Sequence, residues 1–467
     1  MQVILGINFV YHQSSACLVK AGRVIAACEE ERFNRIKGAK EAHIDNTLIL
    51  PFNSIDHVMS IAEMSWENID LIATSFNPKT RASYHREWNK YEPVLQGEYE
   101  TDHGDQSFRA MIKLAPEVIA ARYRLDSEWL ADRFKWVPHH IAHLASAFYA
   151  SPFVEAAGMV FDGIGEFETT TLADCNANGI TLLENVFYPN SLGFVWEVFT
   201  NFLGYEGNYD ESKIMGLAAY GNPGVFRQAM KQVIFVDQAG DFETRVDSAI
   251  LDGDYSSIEN LFGLKRRLPY EPLAWQGRNC SHADLAATLQ EVTNEVFIKK
   301  AKHVGKLTNR KYLVMAGGVC LNCVANGEVA EQAGFEDVYV QPATGDAGTS
   351  VGAALAVYHH KRTRSVQSAM PTPYLGPSYN NNEIRQVLEA FRLHYELVDD
   401  PVNVAAGLLA DGKIVGWFQG AMEFGPRALG NRSLLANPGL AGVRHVMNLQ
   451  VKHREEFRPF CPTFLAE

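Results

Sequence analysis

The chain has 467 residues, 47% of them hydrophobic and 21% charged, and a formal net charge of −13. That is enough for two or three domains at roughly 150 residues each, with the composition of a globular protein that has a sizeable core. The acidic excess argues against nucleic acid as a main partner, no run approaches the ~18 apolar residues of a membrane span, and scattered cysteines fit a reducing cytoplasm.

Residues 2–9 (QVILGINF) are apolar and β-branched and read as a strand without a secretory signal. YHQSS is a polar turn, ACLVK a second strand, and Ala21-Gly22 leads into a third, RVIAACEE. Two tight reversals imply an antiparallel meander. The charge run EEERFNRIKGAK reads as a solvated helix end or loop. Residues 76–135 mix aromatic and charged residues and read as an inserted helical cap, either shaping what enters a cleft or simply packing.

PHHIAHLASAFYASPF begins at Pro138. Proline is favoured at the first helical position, so a helix starts there and sets His139 and His143 on one face at i and i+4. Asp162 closes the apolar run AGMVF in the turn DGIG. Two imidazoles beside a hard carboxylate suit a divalent cation such as iron, manganese or zinc. The plainer reading of His-x-x-x-His alone is a helix start with solvated histidines. A metallopeptidase is disfavoured, because His140 stands where an HExxH enzyme carries its glutamate.

AGMVFD, TTTLADC and ITLLEN repeat the N-terminal strand–turn–strand–turn–strand unit, which marks an internal duplication. The arrangement resembles the actin/sugar-kinase superfamily, whose two halves face each other across a cleft. That resemblance implies that His12 and Asp162, each in its half's polar turn, approach one ligand from opposite sides. Residues 191–221 read as a helix, a polar loop holding Lys213, and a Gly/Ala-rich turn.

Residues 311–360 read β-α-β-α. Gly317-Gly318, between strand and helix, can offer backbone N–H groups to a phosphate or ribose, and Asp346 lies in a Gly-flanked loop at the next helix N-terminus. Cys320 and Cys323 read as unrelated thiols, since no second pair stands at matching spacing. Residues 365–379 hold three prolines and form a linker. Beyond it, NEIRQVLEAFR is helical, YELV a strand, PVNVAAGLLADG helical and KIVGWFQ a strand. Arg427, Arg432, Lys452, Arg454 and Arg458 then crowd an otherwise acidic protein. They suit either a polyanion, such as a triphosphate or acyl phosphate, or an ion-paired surface.

Taken in order, EERFNRIKG, HHIAHLASAFYASPF, FDGIGE, SKIMGLAAYG, GGVCLNCVAN, TGDAG, EFGPRALGNRS and KHREEFRPFCP carry a family resemblance over nearly the whole chain. The chain resembles the NodU/CmcH type of O-carbamoyltransferase, the group of nodulation-factor, cephalosporin and aminoglycoside carbamoyltransferases. The resemblance implies an α/β protein of two domains. The first, 1–370, is a duplicated actin/sugar-kinase-like (ASKHA) domain that transfers the carbamoyl group. The second, 371–467, is a YrdC-like α/β domain, shorter than the family's, that makes carbamoyl adenylate from carbamoyl phosphate and ATP.

Further implications concern single residues. His139, His143, Asp162 and Asp346 match the ligands of a divalent metal, iron first, with magnesium or manganese as alternatives. His12 matches a general base for the acceptor hydroxyl, and Lys37 a group that holds transition-state or phosphate charge. Gly163, Gly165, Lys213, Gly317, Gly318 and Asn322 fall on the nucleotide side. Arg427, Arg432, Lys452, Arg454 and Arg458 match the set that binds ATP and carbamoyl phosphate. Gln13 stands where the family has aspartate. The expected partner is a small-molecule alcohol, with no nucleic acid and no membrane, and a homodimer is compatible. A small-molecule kinase of the actin/sugar-kinase type, or a degenerate nucleotide-binding scaffold, is the alternative.

Overall fold

The longest fully buried apolar runs form the central strands of two sheets. The computed structural model describes residues 2–41, 46–88, 102–238, 240–364 and 368–465. It divides into two units, Met1–Pro371 and Thr372–Glu467.

In the first unit, β1 (Val3–Asn8) buries every residue. β2 (Ser15–Lys20) and β3 (Arg23–Glu29) extend the sheet from one side of β1, and β4 (Leu71–Thr74) and β5 (Phe134–Trp136) from the other. The order is β3-β2-β1-β4-β5, antiparallel among the first three and parallel from β1 to β5. β6 (Ala156–Phe161), also buried throughout, begins the second sheet, followed by β7 (Glu168–Asn176) and β8 (Gly179–Phe187). A separate hairpin, β9 (Ile234–Val236) and β10 (Phe242–Thr244), precedes β11 (Tyr312–Ala316) and β12 (Asp337–Val340). The second sheet, β12-β11-β6-β7-β8, repeats the first in strand order and in every pairing sense. The duplication expected from sequence is therefore present in the topology. Unbroken apolar runs such as VILGI and AAGMVF suit such central strands, covered on both faces.

Eleven helices of this unit matter here and are numbered in chain order. α1 (Phe52–Ile61) flanks β2 and β3. The expected insertion forms α2 (Pro78–Trp88), α3 (Asp102–Lys113), α4 (Ala115–Tyr123) and α5 (Ser127–Arg133), all between β4 and β5. Part of that expectation, residues 89–101, lies outside the described residues, as do residues 365–367 of the linker. α6 (His139–Phe148) follows β5 but packs on β6 and β11 of the other sheet. α7 (Leu192–Phe202) and α8 (Glu211–Ala218) precede the long α9 (Ser281–Thr308) and then α10 (Cys323–Gln332). α11 (Thr349–His359) follows β12 but packs on β1, β2 and β4. Each half thus sends its last helix across to the other half's sheet. The two helices also touch, with Gly352 against the Ala142 carbonyl, where a Cβ would overlap it. Among the described residues no helix is long and apolar enough to cross a membrane.

Three local expectations are corrected. Lys213 lies in α8 and not in a loop, since SKIMGLA is a competent helix once Asp210 precedes it. Pro138 is the N-cap of α6 and His139 its first helical residue. YELV is not a strand. Leu397 is 83% exposed and no described strand pairs with the segment.

The second unit holds α12 (Asn381–Ala390), opened by a capping box between Asn380 and Glu383, and α13 (Pro401–Ala410), with proline in its first turn. β13 (Val415–Phe418) and β14 (Arg432–Leu435) pair antiparallel.

Candidate metal centre

Four buried donors converge at the seam between the two sheets. His139 and His143 project from α6, Asp162 stands one residue after β6, and Asp346 lies in the turn ahead of α11. One ligand atom from each lies within 4.8 Å of all the others. His139 Nε2 is 3.1 Å from His143 Nε2, 3.3 Å from Asp162 Oδ2 and 3.6 Å from Asp346 Oδ1. His143 Nε2 is 3.8 Å and 3.6 Å from the same two oxygens.

The surroundings aim these atoms. His139 Nδ1 donates to the Ser75 carbonyl at 3.0 Å, which fixes the tautomer and turns the Nε2 lone pair toward the cluster. Asp162 Oδ1 accepts the Gly318 N–H at 2.9 Å, leaving Oδ2 for the histidines. Asp346 is shared differently. Oδ1 faces the two histidines and Oδ2 lies 3.6 Å from His12 Nδ1. His140 points elsewhere, to the Thr171 hydroxyl, and burial drives its pKa well below the usual imidazole value.

The electrostatics of the cluster call for positive charge. Burial opposes charge on His139, yet its hydrogen bonds with Asp162 and Asp346 prevail and hold its pKa well above the ordinary value. Burial likewise opposes the Asp162 carboxylate, and the two histidines pull its pKa well below normal. Asp346 is lowered too, against burial, chiefly by the charge of His12. A field that favours a proton between these groups favours a cation there as well. Two neutral imidazoles and two carboxylates carry a formal charge of −2, which neutralises a divalent ion, and mixed N/O donors suit iron, manganese or zinc. The residues present fit such an ion.

His12 sits at the rim, in a turn held by Asn8, whose Nδ2 donates to the carbonyls of His12 and Gln13, each at 3.1 Å. Gln13 lies against the Asp346 loop, its Oε1 accepting from Ala347 N at 3.4 Å. Gly163 and Gly165 belong to the turn after Asp162. The Gly163 carbonyl accepts from Ser191 Oγ at 2.7 Å and that of Gly165 from the Tyr11 hydroxyl at 2.8 Å.

The other expected site residues of this unit each have partners within the protein. Lys37 is 65% exposed and reaches the Tyr209 carbonyl at 2.8 Å and Asp210 at 3.3 Å. Lys213 holds the other oxygen of Asp210 at 2.8 Å. Gly317 donates its N–H to the Thr344 carbonyl and Gly318 to Asp162, so both amides proposed for a nucleotide are engaged within the protein. Asn322 caps α10 through Ala325 N and exchanges amide hydrogen bonds with Gln290.

In the second unit, Glu423 accepts the N–H groups of Leu429, Asn431 and Arg432 and so shapes the loop between Arg427 and Arg432. Arg427 is exposed. Arg454 is fixed to Asn448 Oδ1 at 2.7 Å and stacks over Phe460. Burial first, then the charges of Arg454 and Arg458, lower the Lys452 pKa, and Arg458 faces Glu455 at 3.6 Å.

A family model described as the carbamoyltransferase N-terminus matches residues 3–355. The chain belongs to the carbamoyltransferase family. The carbamoyltransferase C-terminus model matches residues 406–467. This carbamoyltransferase-family chain is 36% identical over 486 residues to an uncharacterised protein of Synechocystis sp., covering 100% of the chain and 76% of that relative. It is 32% identical to nodulation protein NolNO of Sinorhizobium fredii, over 98% of the chain and 63% of the relative. It is 33% identical to 3'-hydroxymethylcephem-O-carbamoyltransferase of Streptomyces clavuligerus, over 39% of the chain and 33% of that protein. The chain therefore spans about three-quarters of the first of these relatives and less than two-thirds of the other two.

Sequence reasoning passed over Ser75 and Glu166. Glu166 is fully buried and accepts the His139 N–H, but a glutamate in a glycine-rich turn looks solvated in sequence. Its signal was its place four residues after Asp162, in a turn already assigned to the cleft.

Proposed function

We propose that this chain transfers a carbamoyl group to a hydroxyl of a small molecule, with His139, His143, Asp162 and Asp346 holding a divalent metal. The convergence of those four buried donors in a carbamoyltransferase-family chain carries the reading. When bound, the metal would supply Lewis acidity toward a carbonyl or phosphate oxygen. His12 is the general base. The charge of Asp346 Oδ2 beside Nδ1 favours the tautomer that leaves Nε2 free to take the alcohol proton. The alcohol oxygen then bonds to the carbamoyl carbon of carbamoyl adenylate, the bond from that carbon to the phosphate oxygen breaks, and AMP leaves.

The YrdC-like second unit is assigned the earlier step, in which carbamoyl phosphate and ATP give the adenylate. Arg427, Arg432, Lys452, Arg454 and Arg458 bind the phosphates. The clustering of Lys452, Arg454 and Arg458 supports this. The cytoplasm is the expected setting, and all seven cysteines are free thiols.

The test is a mass-spectrometric screen for a carbamoyl mass gain on candidate alcohols incubated with ATP and carbamoyl phosphate. AMP and pyrophosphate release that requires both co-substrates supports the proposal. ADP and orthophosphate as the sole products would instead identify a kinase. His139→Ala should lose transfer while keeping carbamoyl-phosphate-dependent ATP consumption, and Arg432→Ala should lose that consumption.

A further inference from the structure

α6 carries both histidines of the cluster, yet nothing local caps its start. Its N-cap is Pro138, which has no side-chain acceptor for the free N–H groups of the first turn. The acceptor comes from 27 residues further along the chain. Glu166 Oε2 receives the His139 N–H at 2.9 Å, and Oε1 lies 3.1 Å from the same nitrogen. Glu166 Oε1 also receives the N–H of Asn77, at 2.7 Å. Asn77 in turn caps α2, the first insertion helix, through Lys79 N at 3.0 Å.

The backbone of Glu166 is gripped too. Its carbonyl accepts from Arg81 Nη1 at 2.9 Å. Arg81 is 4% exposed, stacks over Phe108 and Phe167, and pairs through Nε with Asp105 Oδ1 at 2.8 Å. Asp105, fully buried in α3, is also held by Arg109 at 2.6 Å. A continuous set of hydrogen bonds therefore runs from the insertion helices through Arg81 to Glu166, and from Glu166 to the first residue of the helix that bears the donors. Asp162 begins the same turn that ends at Glu166.

We infer that Glu166 is a positioning residue for the metal. It fixes where α6 starts, and thereby where the His139 and His143 nitrogens stand relative to Asp162, while Arg81 ties that setting to the insertion. The inference rests on the metal reading above. Groups that orient ligands in this way typically change metal affinity by about 10–100-fold when altered.

The experiment titrates the purified apoprotein with Co(II), following the visible d–d bands, for wild type, Glu166→Gln, Glu166→Ala and Arg81→Met. Glu166→Gln keeps the volume but places an amide donor where one oxygen faced the His139 N–H. It is expected to weaken Co(II) binding about tenfold and to alter the band pattern, with a larger loss for Glu166→Ala. Arg81→Met, remote from the ion, is expected to move both readouts in the same direction by a smaller amount, and it decides the matter if the Glu166 variants do not fold. Variants that lose thermal stability yet keep wild-type Co(II) affinity and spectrum would overturn the inference, leaving Glu166 a purely structural cap. A wild-type protein that binds no Co(II) would overturn the metal reading itself.

Discussion

Gly317→Ala is the substitution whose cost can be worked most directly from the structure. Gly317 adopts φ 103°, ψ 154°, a region open almost only to glycine. Forcing a side chain there costs about 1–3 kcal/mol in backbone strain. A Cβ would also overlap the Phe161 carbonyl oxygen and lie 2.6 Å from its carbon. Both are backbone atoms of the central strand β6, so neither can swing aside, and overpacking of this kind adds about 1–3 kcal/mol. The sum, about 2–6 kcal/mol, corresponds to a fall in melting temperature of roughly 3–8 °C for a unit of this size, at about 2.1 cal/mol/K of unfolding entropy per residue. Because Phe161 precedes Asp162, and Gly318 N–H holds Asp162 Oδ1, the strain falls on a proposed ligand. Thermal unfolding by circular dichroism and Co(II) titration read the two effects. A variant with wild-type melting temperature and wild-type Co(II) affinity would refute the reasoning.

Other outcomes follow from the same geometry. His143→Ala and Asp346→Asn should each lose most bound metal, measured as metal content after desalting, and chelation should abolish transfer reversibly. Lys37→Ala removes an exposed pair with Asp210, worth about 0–1 kcal/mol. The melting temperature should hardly move, so any large fall in turnover reports chemistry. Burial, then the charge of Glu211, pushes the Glu197 carboxyl up to about 7. Since the folded value exceeds the unfolded one, stability is full below about pH 4.5 and declines as pH rises toward about 7. Glu197→Gln should flatten that decline in melts recorded across the window.

Periodicity exposed much of the fold. The fully apolar central strands, the meanders and the i, i+4 histidines of α6 are written in local pattern. What pattern could not show is where long-range partners lie. Asp346 stands about two hundred positions from His139, and only the family resemblance joined them. The Gly317-Gly318 turn looked like a cradle for phosphate, because sequence cannot reveal that Thr344 and Asp162 already accept its amides. Lys213 looked like loop because polar residues surround it, whereas α8 continues through it. YELV has the composition of a strand but no neighbour to pair with among the described residues, and pairing rather than propensity decides.

The repeated topology has one more consequence, for the make-up of the buried cluster. Equivalent positions in the two repeats meet at the seam. The turn after the first strand supplies His12 in one and Asp162 in the other, and the segment after the fifth strand supplies His139 in one and Asp346 in the other. In both cases the earlier copy gives a base and the later copy an acid. A symmetric pair of identical repeats would set base against base and acid against acid at these positions. Because the two copies differ at these positions, His139 stands beside Asp162 and Asp346, and His12 beside Asp346, so that each base faces an acid.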